Sequence, residues 1–390
     1  MLSIFEKGFI TLIRAAMLEK SEELPFDFDV DRIYDAARIH HIMGIVYKGA
    51  MYCGIDKSLP VMQKLFLGAL KETTVHERQM HEFLCLKKAF AQNEIEYMPI
   101  KGVLVKRLYS DPSLRFMSDV DILIHKADYE KIAKILKESG YYFRFESDPE
   151  YVWTKKGALN LELHKSLVAS MHEDFYSYLG EGWQMAIKKD NFEFYLKDED
   201  EFIYLFCHFT KHYRFCGIGV KYIIDLWLYL KNTKLDISYI ENEFDKLGIL
   251  EFYHNILKVI DVWFADGKMD QKSEFISDFI IKSGVYGTHE NEIASLVLQN
   301  NNNGKITAKK KLLVIRMFPP LKTMKLHYKY LNKAGFLLPL AWVCRGFRVL
   351  FKKRKNISKH IKDIKNINDS DVEKLKQNLE YVGLNLNFRG

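Results

Sequence analysis

Two aspartates with one residue between them carry the clearest chemical signal in this sequence. Asp119 and Asp121 lie in residues 118–124, where apolar and polar side chains alternate as they do in a β-strand. Residues two apart in a strand project from the same face, so both carboxylates point the same way. Close carboxylates repel each other unless a shared proton or a divalent metal ion neutralises them. Such oxygen ligands suit Mg²⁺ or Mn²⁺ rather than Zn²⁺, although the same pair is also common on solvated strand edges.

Further side chains suited to such a metal site lie on both sides of the pair. A second alternating run, residues 159–164, predicts a strand with Asn160, Glu162 and His164 on one face. Upstream, Gly102 follows a strand-like run and precedes a helix-like one, and the backbone N–H groups of such a turn can face an anion. Three carboxylates beside a glycine turn are the parts that two-metal phosphoryl transfer needs.

Residues from about 93 to 167 resemble the nucleotidyltransferase fold of the polymerase β-like superfamily. The chain is similar to a bacterial family called uncharacterised nucleotidyltransferases in the successive patterns K-G-x-x-L, Y-x-D-P-x-x-R-x-M-S-D-x-D-x-L, G-Y and L-E-L-H. The resemblance extends more weakly through the helical residues to about 350. The matching residues are Lys101, Gly102, Tyr109, Pro112, Arg115, Ser118, Asp119, Asp121, Gly140, Tyr141, Glu162 and His164.

The resemblance implies a metal-dependent nucleotidyltransferase, which moves an NMP group from an NTP such as ATP to a hydroxyl group and releases pyrophosphate. Two Mg²⁺ or Mn²⁺ ions are expected, held by Asp119, Asp121 and Glu162. Glu162 would complete the second metal site or accept the proton. The acceptor stays open: a sugar or another small hydroxylated molecule is favoured, and a protein or RNA acceptor is the alternative. The chain shows no RNA-binding module, which argues weakly against nucleic acid.

Four other residues of the pattern are predicted to hold the nucleotide phosphates: Lys101, Gly102, Arg115 and Ser118. One position departs from the wider superfamily, in which Gly-Ser or Gly-Gly shortly precedes the first aspartate, because Gly102 is followed here by Val103. The missing serine favours an alternative, a nucleotidyltransferase-fold protein that binds nucleotide or a partner without turnover. The three carboxylates oppose that alternative, since a scaffold has no need to place like charges together.

A further group of polar residues lies on the helical region predicted from Asp198 to about Asn232. Its apolar stripe is followed around the helix by a polar stripe that meets solvent, makes a buried hydrogen bond or, as we prefer, faces the active site. The residues predicted to contact the acceptor or the phosphates are His164, His208, Lys211, His212 and Lys221. His208 and His212 could hold Zn²⁺, but the sequence offers no third ligand. Asp225 is either an ion-pair partner of Lys221 or a functional group.

The elements around these residues predict an α+β fold, with a nucleotidyltransferase-like mixed β-sheet domain flanked by N-terminal and C-terminal helical regions. Residues 62–90 predict one long amphipathic helix with Leu65, Leu70, Met80, Leu84 and Leu86 on its apolar face. An asparagine-rich stretch ending at Gly304 is the clearest boundary. The predicted regions are helical 1–92, nucleotidyltransferase-like 93–198, helical 199–300 and basic helical 301–390.

Composition limits the remaining choices. At 390 residues the chain exceeds one ordinary core, and a net charge of +7 suits an anionic ligand without demanding nucleic acid. Five scattered cysteines without metal-type pairing indicate reduced thiols and a cytoplasmic location. The first residues do not form a signal peptide, and no uncharged apolar run reaches the length of a membrane span.

An apolar segment with a tryptophan, residues 335–343, is followed by Arg345, Arg348 and the basic residues 352–355. This order resembles an interfacial membrane anchor, but the segment is too short to span a bilayer and Pro339 interrupts it. The favoured interpretation is a buried helical cap with solvated cations. Peripheral membrane contact through residues 335–355, and with it a membrane-surface adaptor, is the second interpretation. The oligomeric state stays open.

Overall fold

The structure, a computed structural model, describes residues 1–157, 160–299, 305–348 and 367–384. Three features of the sequence lie outside these ranges: Leu159, the predicted boundary at residues 300–304, and the basic cluster at residues 352–355. The fold is mixed α+β, as predicted, with helices before and after a mixed β-sheet. Among the described residues, no helix combines the length and the apolar character that crossing a membrane requires.

The chain divides into two compact units. The described residues of the first unit are 1–213, 217–287 and 382–384, and those of the second lie within 214–216 and 288–381. The first unit therefore contains the predicted helical region and the predicted nucleotidyltransferase-like region together, and most of the helical region that follows them.

The chain begins with four helices, as the sequence predicts. Ser3 caps the first helix through a reciprocal pair of hydrogen bonds with Glu6. Gly49 lets α3 approach α1 closely, because a Cβ atom at that position would lie 1.9 Å from the carbonyl oxygen of Leu12. The bounds are Ile4–Leu18 for α1, Ile33–His40 for α2, Met43–Tyr52 for α3 and Pro60–Gln92 for α4.

The long helix predicted over residues 62–90 is confirmed as α4, but its predicted apolar face is only partly right. Leu65 and Leu86 are buried, whereas Leu70 and Leu84 are exposed. Five residues turn an α-helix about 140° past one full turn, which carries Leu70 away from the face of Leu65. The helix therefore packs on a narrower apolar stripe than its leucines indicate.

The centre of the first unit is a five-stranded sheet in the order β1-β2-β5-β4-β3. Strands β2 and β5 run parallel, and the other neighbouring pairs run antiparallel. This parallel pair brings together the two segments that carry the predicted acidic residues. The strands are β1 Tyr97–Ile100, β2 Val120–Ile124, β3 Tyr142–Glu146, β4 Glu150–Thr154 and β5 Asn160–His164. A separate two-stranded sheet pairs β6 Ala186–Lys188 with β7 Phe194–Leu196.

One face of the larger sheet is closed by helices. Val120, Ile122 and Ile124 point into a buried cluster with side chains of α4 and of α6. Helix α6 spans Tyr129–Glu138 and is followed by Gly140, which adopts a left-handed φ of 82°. The alternate residues of β2 and β5 point to the opposite face, where the acidic side chains lie. Two short helices complete this region, α5 Gly102–Val105 and α7 Glu173–Leu179.

Helices follow the sheet to the end of the first unit. The apolar stripe of α8 is buried at Phe202, Phe206 and Phe209. The apolar side of α11 is also buried, at Phe252, Ile256, Val259, Ile260 and Trp263. The bounds are Asp198–Phe215 for α8, Val220–Asn232 for α9, Ile237–Lys246 for α10, Leu250–Phe264 for α11 and Gln271–Ser283 for α12.

The second unit is helical. Ala341 packs into a small core with Met324 and Leu331, but the apolar side chains of Leu340 and Val343 are exposed, which corrects the favoured prediction of a buried cap. Pro339 does not interrupt the helix, because it lies in the first turn, where a missing N–H group costs no hydrogen bond. The helices are α13 His289–Gln299, α14 Lys305–Met317, α15 Leu321–His327, α16 Leu338–Arg348 and α17 Asp369–Tyr381.

Candidate active site

The register of two parallel strands creates the acidic centre of the molecule. Asp121 of β2 lies directly opposite Glu162 of β5, and Leu123 lies opposite His164. Ligand-type atoms of Asp121, Glu162 and His164 all lie within 4.8 Å of one another. The Nε2 atom of His164 is 2.8 Å from Oδ1 of Asp121 and 3.7 Å from Oε2 of Glu162. These three residues are named the carboxylate centre below.

Lys101 brings a positive charge to this centre from the end of β1. Its Nζ atom donates a hydrogen bond of 2.6 Å to Oδ1 of Asp121 and lies 3.4 Å from Nε2 of His164. The backbone of Lys101 has φ 55° and ψ −123°, a conformation that costs a residue with a side chain of the order of 1–3 kcal/mol. The tight turn after β1 therefore directs this ammonium group at the carboxylates.

The surroundings set different charge states on the two carboxyl groups of the centre. Burial raises the pKa of Asp121, but Lys101 and His164 outweigh it and hold that pKa well below its usual range. Burial raises the pKa of Glu162 to about 7, against a hydrogen bond from His164 and with help from the charges of nearby carboxylates. Asp121 is thus ionised at neutral pH, whereas Glu162 can take up or release a proton there.

Asp119 lies just before β2 and is half-buried. Ser118 donates a hydrogen bond of 2.9 Å from Oγ to Oδ2 of Asp119. Burial and the charge of Asp121 raise the pKa of Asp119, which shows that the two carboxylates interact. Among the described residues, the group of ligand atoms within 4.8 Å does not include Asp119, so its role as a metal ligand stays a prediction.

The predicted glycine turn is present between β1 and β2. A Cβ atom on Gly102 would lie 2.8 Å from Sδ of Met117, so the close approach of these segments favours glycine. Val103, the position at which the sequence departs from the expected Gly-Ser or Gly-Gly pattern, packs against the buried cluster under the sheet. The departure is therefore a packing position in this chain, and the role of Gly102 in phosphate binding stays a prediction.

Arg115 lies in a buried ion pair and not at the carboxylates. Its Nε and Nη2 atoms donate to Oδ1 and Oδ2 of Asp225 at 2.8 Å and 2.7 Å. Tyr109 donates a further hydrogen bond of 2.6 Å from its hydroxyl group to the same carboxylate. Arg115 and Asp225 are each only 7% exposed at the side chain. Asp225 is therefore the partner of Arg115 rather than of Lys221, and Tyr109, Arg115 and Asp225 are named the anchor cluster below.

Helix α8 presents Tyr204, His208 and Lys211 at i, i+4 and i+7, which is one side of a helix. Burial lowers the pKa of Lys211 to about 8, and Lys101 lowers it further while the charges of Asp121, Glu150 and Glu162 oppose this. The charges of the carboxylate centre therefore act on the pKa of Lys211. The hydroxyl group of Tyr204 and Nδ1 of His208 are buried and have no hydrogen-bond partner among the described residues.

Lys221 and His212 complete the predicted group. Burial and the charge of Arg115 lower the pKa of Lys221 to about 7, although Asp225, Asp119 and Glu72 raise it. Burial and Lys211 hold the pKa of His212 well below its usual range. Within the described part of the chain, the ammonium groups of Lys211 and Lys221 form no ion pair or hydrogen bond. These two residues are named the lysine pair.

Comparison with known families decides which kind of protein carries this site. The model of a family described as "Uncharacterised nucleotidyltransferase" matches residues 27–265. The chain belongs to this nucleotidyltransferase family. The carboxylate centre, the lysine pair and the anchor cluster all lie inside the matched range.

A crystal structure of an antigenic nucleotidyltransferase-like protein from Paracoccidioides brasiliensis is similar at 16% identity and a TM-score of 0.32, over 54% of this chain and 94% of that one. No curated protein matches the sequence.

Two residues near the carboxylate centre were not predicted from the sequence of this family member. Glu150 of β4 lies opposite His164 on β5, with Oε2 3.8 Å from Nε2. Tyr204 lies one helical turn before His208. Burial raises the pKa of Tyr204, the charge of Lys101 lowers it, and the charge of Asp121 raises it. The signal for Tyr204 was its i, i+4 spacing to a predicted site residue, whereas Glu150 needed knowledge of which strand pairs with β5.

The residues present fit a divalent cation. Two carboxylates and an imidazole converge from adjacent strands, and imidazole and carboxylate are both ligands that proteins offer to Mn²⁺ and its neighbours. The ammonium group of Lys101 contacts the oxygen that Asp121 would offer, so a bound cation would compete with it for that oxygen. The His208 and His212 pair belongs to no comparable group of three ligands within the described residues.

Proposed function

We propose that the protein is a metal-dependent nucleotidyltransferase, which moves an NMP group from an NTP to a hydroxyl group of an acceptor and releases pyrophosphate. The observation that supports this most directly is the carboxylate centre, in which Asp121, Glu162 and His164 converge beside Lys101. Membership of a nucleotidyltransferase family supports the reaction class. The substrate and the acceptor are part of the proposal.

Asp119, Asp121 and Glu162 are the proposed metal ligands, and His164 adds a nitrogen ligand that the sequence pattern places on the same strand face. Two Mg²⁺ or Mn²⁺ ions bound there would neutralise charge on the triphosphate and lower the pKa of the acceptor hydroxyl group. Asp121 is ready for this role because its low pKa keeps it ionised. Glu162, with a pKa of about 7, suits a group that accepts the proton of the hydroxyl.

The lysine pair is proposed to hold the phosphates, together with Lys101, Gly102 and Ser118. Burial destabilises the ammonium groups of Lys211 and Lys221, so a phosphate that approached them would restore their full charge. His208 and His212 are neutral because of their lowered pKa values and suit hydrogen bonds to a hydroxyl group of the acceptor. Arg115 could grip phosphate only by leaving Asp225, and we therefore assign it a positioning role.

The acceptor proposed is a sugar or another small hydroxylated molecule, with ATP as one candidate donor among the NTPs. A cytoplasmic location and a bacterial source stay proposals, based on the scattered cysteines and on the resemblance. The alternative is binding of nucleotide or a partner without turnover. The ion pair between Lys101 and Asp121 favours it, because a metal ion must compete with an ammonium group already held at 2.6 Å.

The test is incubation of the purified protein with each α-³²P-labelled NTP, Mg²⁺ or Mn²⁺, and a cell extract as the source of acceptor. Wild type is compared with Asp121→Asn and with Asp245→Asn, an exposed aspartate on α10 that serves as the matched control. We expect label in a product with wild type and the control. Loss of the metal's charge stabilisation, worth several kcal/mol, reduces transfer by Asp121→Asn on the order of 1,000-fold.

Three results of this assay have distinct meanings. Equal transfer by Asp121→Asn and wild type would refute the assigned site. Metal-dependent NTP binding without transfer, lost in Asp121→Asn, would establish the alternative. Neither transfer nor binding by any of the three proteins, with circular dichroism showing that they are folded, would refute both.

A further inference from the structure

The charge of this chain is strongly segregated along the sequence. Residues 293–362 contain seventeen lysines and arginines and no aspartate or glutamate, whereas in the rest of the chain acidic residues outnumber basic ones. A block of one sign attracts a polyanionic partner at long range and repels a cationic one. The structure describes residues 293–299 and 305–348 of this block, all of them in the second unit.

The described part of the block carries an apolar stripe on its surface. The stripe consists of four residues on α16 and the turn before it, spaced by four, three and four positions, which places them on one side of the helix. Their exposed fractions are 81% for Phe336, 53% for Leu340, 55% for Val343 and 59% for Phe347. Apolar side chains of this size are stabilised when they leave water for an apolar environment.

The opposite side of α16 fixes this orientation. Ala341 is buried with Met324 and Leu331, and Trp342 donates a hydrogen bond of 2.8 Å from Nε1 to the carbonyl oxygen of Pro319. The ring of Phe318 packs edge-on against Trp342 at 5.3 Å. The stripe therefore faces outward, because the inner side of α16 is already packed. The contact of Phe318 with Trp342 also holds the end of α14 beside α16.

The neighbouring end of α14 also carries exposed apolar side chains. Val314 is 52% exposed, and Met317 and Phe318 are each 49% exposed. Lys310 and Lys311, one to two turns earlier on this helix, are exposed as well. Apolar side chains rimmed by lysines, with no carboxylate in the whole block, form a surface that suits an interface with both an apolar and an anionic layer.

We propose that the stripe and its basic surroundings bind the surface of an anionic lipid bilayer, with α16 lying in the headgroup region. An 11-residue helix is about 16 Å long and cannot cross a hydrocarbon core of about 30 Å, which excludes spanning by α16. The apolar stripe enters the boundary between headgroups and acyl chains, and the lysines and arginines contact the anionic headgroups. This contact is independent of the proposed transfer reaction.

A nucleic acid would meet the same positive charge, but the stripe favours lipid. Contacts to phosphates and base edges use hydrogen-bond donors, and contacts to unpaired bases use aromatic rings. Leu340 and Val343, at the middle of the stripe, offer neither. A lipid surface uses all four apolar side chains as well as the cations.

The test is flotation of the full-length protein with vesicles of phosphatidylcholine alone or mixed with phosphatidylglycerol. The variant is Leu340→Asn with Val343→Asn. The matched control is Leu67→Asn with Leu70→Asn on α4, which has the same spacing and exposed fractions of 63% and 53%. We expect wild type and the control to bind the anionic vesicles only, and the variant to bind at least about tenfold less. A third variant, Lys310→Gln with Lys311→Gln, should bind less at low salt.

Several outcomes would overturn the proposal. Wild-type protein that stays unbound with anionic vesicles would do so, as would equal binding by the Leu340/Val343 variant when circular dichroism shows that all variants are folded. Equally strong binding to neutral vesicles would refute the proposed contact between the basic residues and the anionic headgroups. Displacement of the protein from anionic vesicles by duplex DNA or RNA, with the Leu340/Val343 variant binding the nucleic acid as wild type does, would assign the surface to nucleic acid instead.

Discussion

The first unit contains two buried ionic clusters that are satisfied to different degrees. In the anchor cluster, both oxygens of Asp225 accept hydrogen bonds from Arg115, and Tyr109 adds a third donor. In the carboxylate centre, several carboxylates surround one directly paired cation, Lys101. The lysine pair has no ion-pair or hydrogen-bond partner among the described residues, and the largest charge effect on Lys221 comes from Arg115 of the anchor cluster.

This difference separates a group that maintains the fold from one that is prepared for a ligand. Burying a charge without a partner costs stability, so natural proteins keep such an arrangement where a function repays it. The anchor cluster needs nothing further, because each donor of its charges has an acceptor. Under the proposed function, the carboxylate centre and the lysine pair would gain partners when a metal-bound triphosphate binds.

The largest expected effect on stability comes from breaking the anchor cluster. Asp225→Ala leaves the guanidinium of Arg115 buried without a counter-charge, which typically costs about 3–5 kcal/mol in the free energy of unfolding. Urea unfolding followed by circular dichroism measures this loss, with Asp245→Ala as the exposed control. A loss below about 1 kcal/mol would mean that the anchor cluster is not the structural member of the comparison.

The sequence predicted the parts of the site that depend on local periodicity. Alternation places Glu162 and His164 on one strand face, and the structure confirms that face. The parallel pairing of β2 with β5, which sets Asp121 opposite Glu162, depends on how distant segments meet and has no local signature. The ion pair of Arg115 with Asp225 joins residues 110 positions apart. Residue spacing could not predict it either, because it also depends on how distant segments meet.

Helix packing shows a second limit of sequence patterns. Leucines on α4 predicted one broad apolar face, but the partners of that helix cover only part of it and leave Leu70 and Leu84 in water. The same error occurs on α16, where a buried cap was predicted. Leu340 and Val343 are exposed there because the core of the second unit covers only the other side of the helix. Hydrophobicity marks a face, but the available partners decide whether it is buried.

The next largest effect is expected when one tyrosine hydroxyl group is removed from each of the two regions. Tyr109→Phe removes a hydroxyl group that donates to the charged Asp225, and a hydrogen bond to a charge contributes about 1.5–3 kcal/mol. Tyr204→Phe removes a buried hydroxyl group that has no partner in the described part of the chain, so its removal should be neutral or stabilising. Equilibrium unfolding of both variants gives the two signs, and an equal loss in both would erase the contrast between the clusters.

The smallest effect on stability tests the lysine pair, and it has a defined pH dependence. Below pH 7 both the folded and the unfolded states hold the proton of Lys221, and the folded state carries the full cost of a buried ammonium group. Between pH 7 and the usual pKa of lysine only the unfolded state holds it, so this contribution to stability improves as the pH rises. Lys221→Met should therefore stabilise the fold by on the order of 1 kcal/mol below pH 7, and by progressively less toward pH 10.

The Lys221→Met variant is also tested for nucleotide binding. If Lys221 holds phosphate, Lys221→Met weakens metal-dependent NTP binding by roughly tenfold while it stabilises the protein, since one charged contact is lost. Lys231→Met, which changes a lysine near the end of α9 that lies against the ring of Trp227, is the control and should leave binding unchanged. A Lys221→Met protein that is both less stable and equally able to bind NTP would place Lys221 with the anchor cluster, as a structural charge.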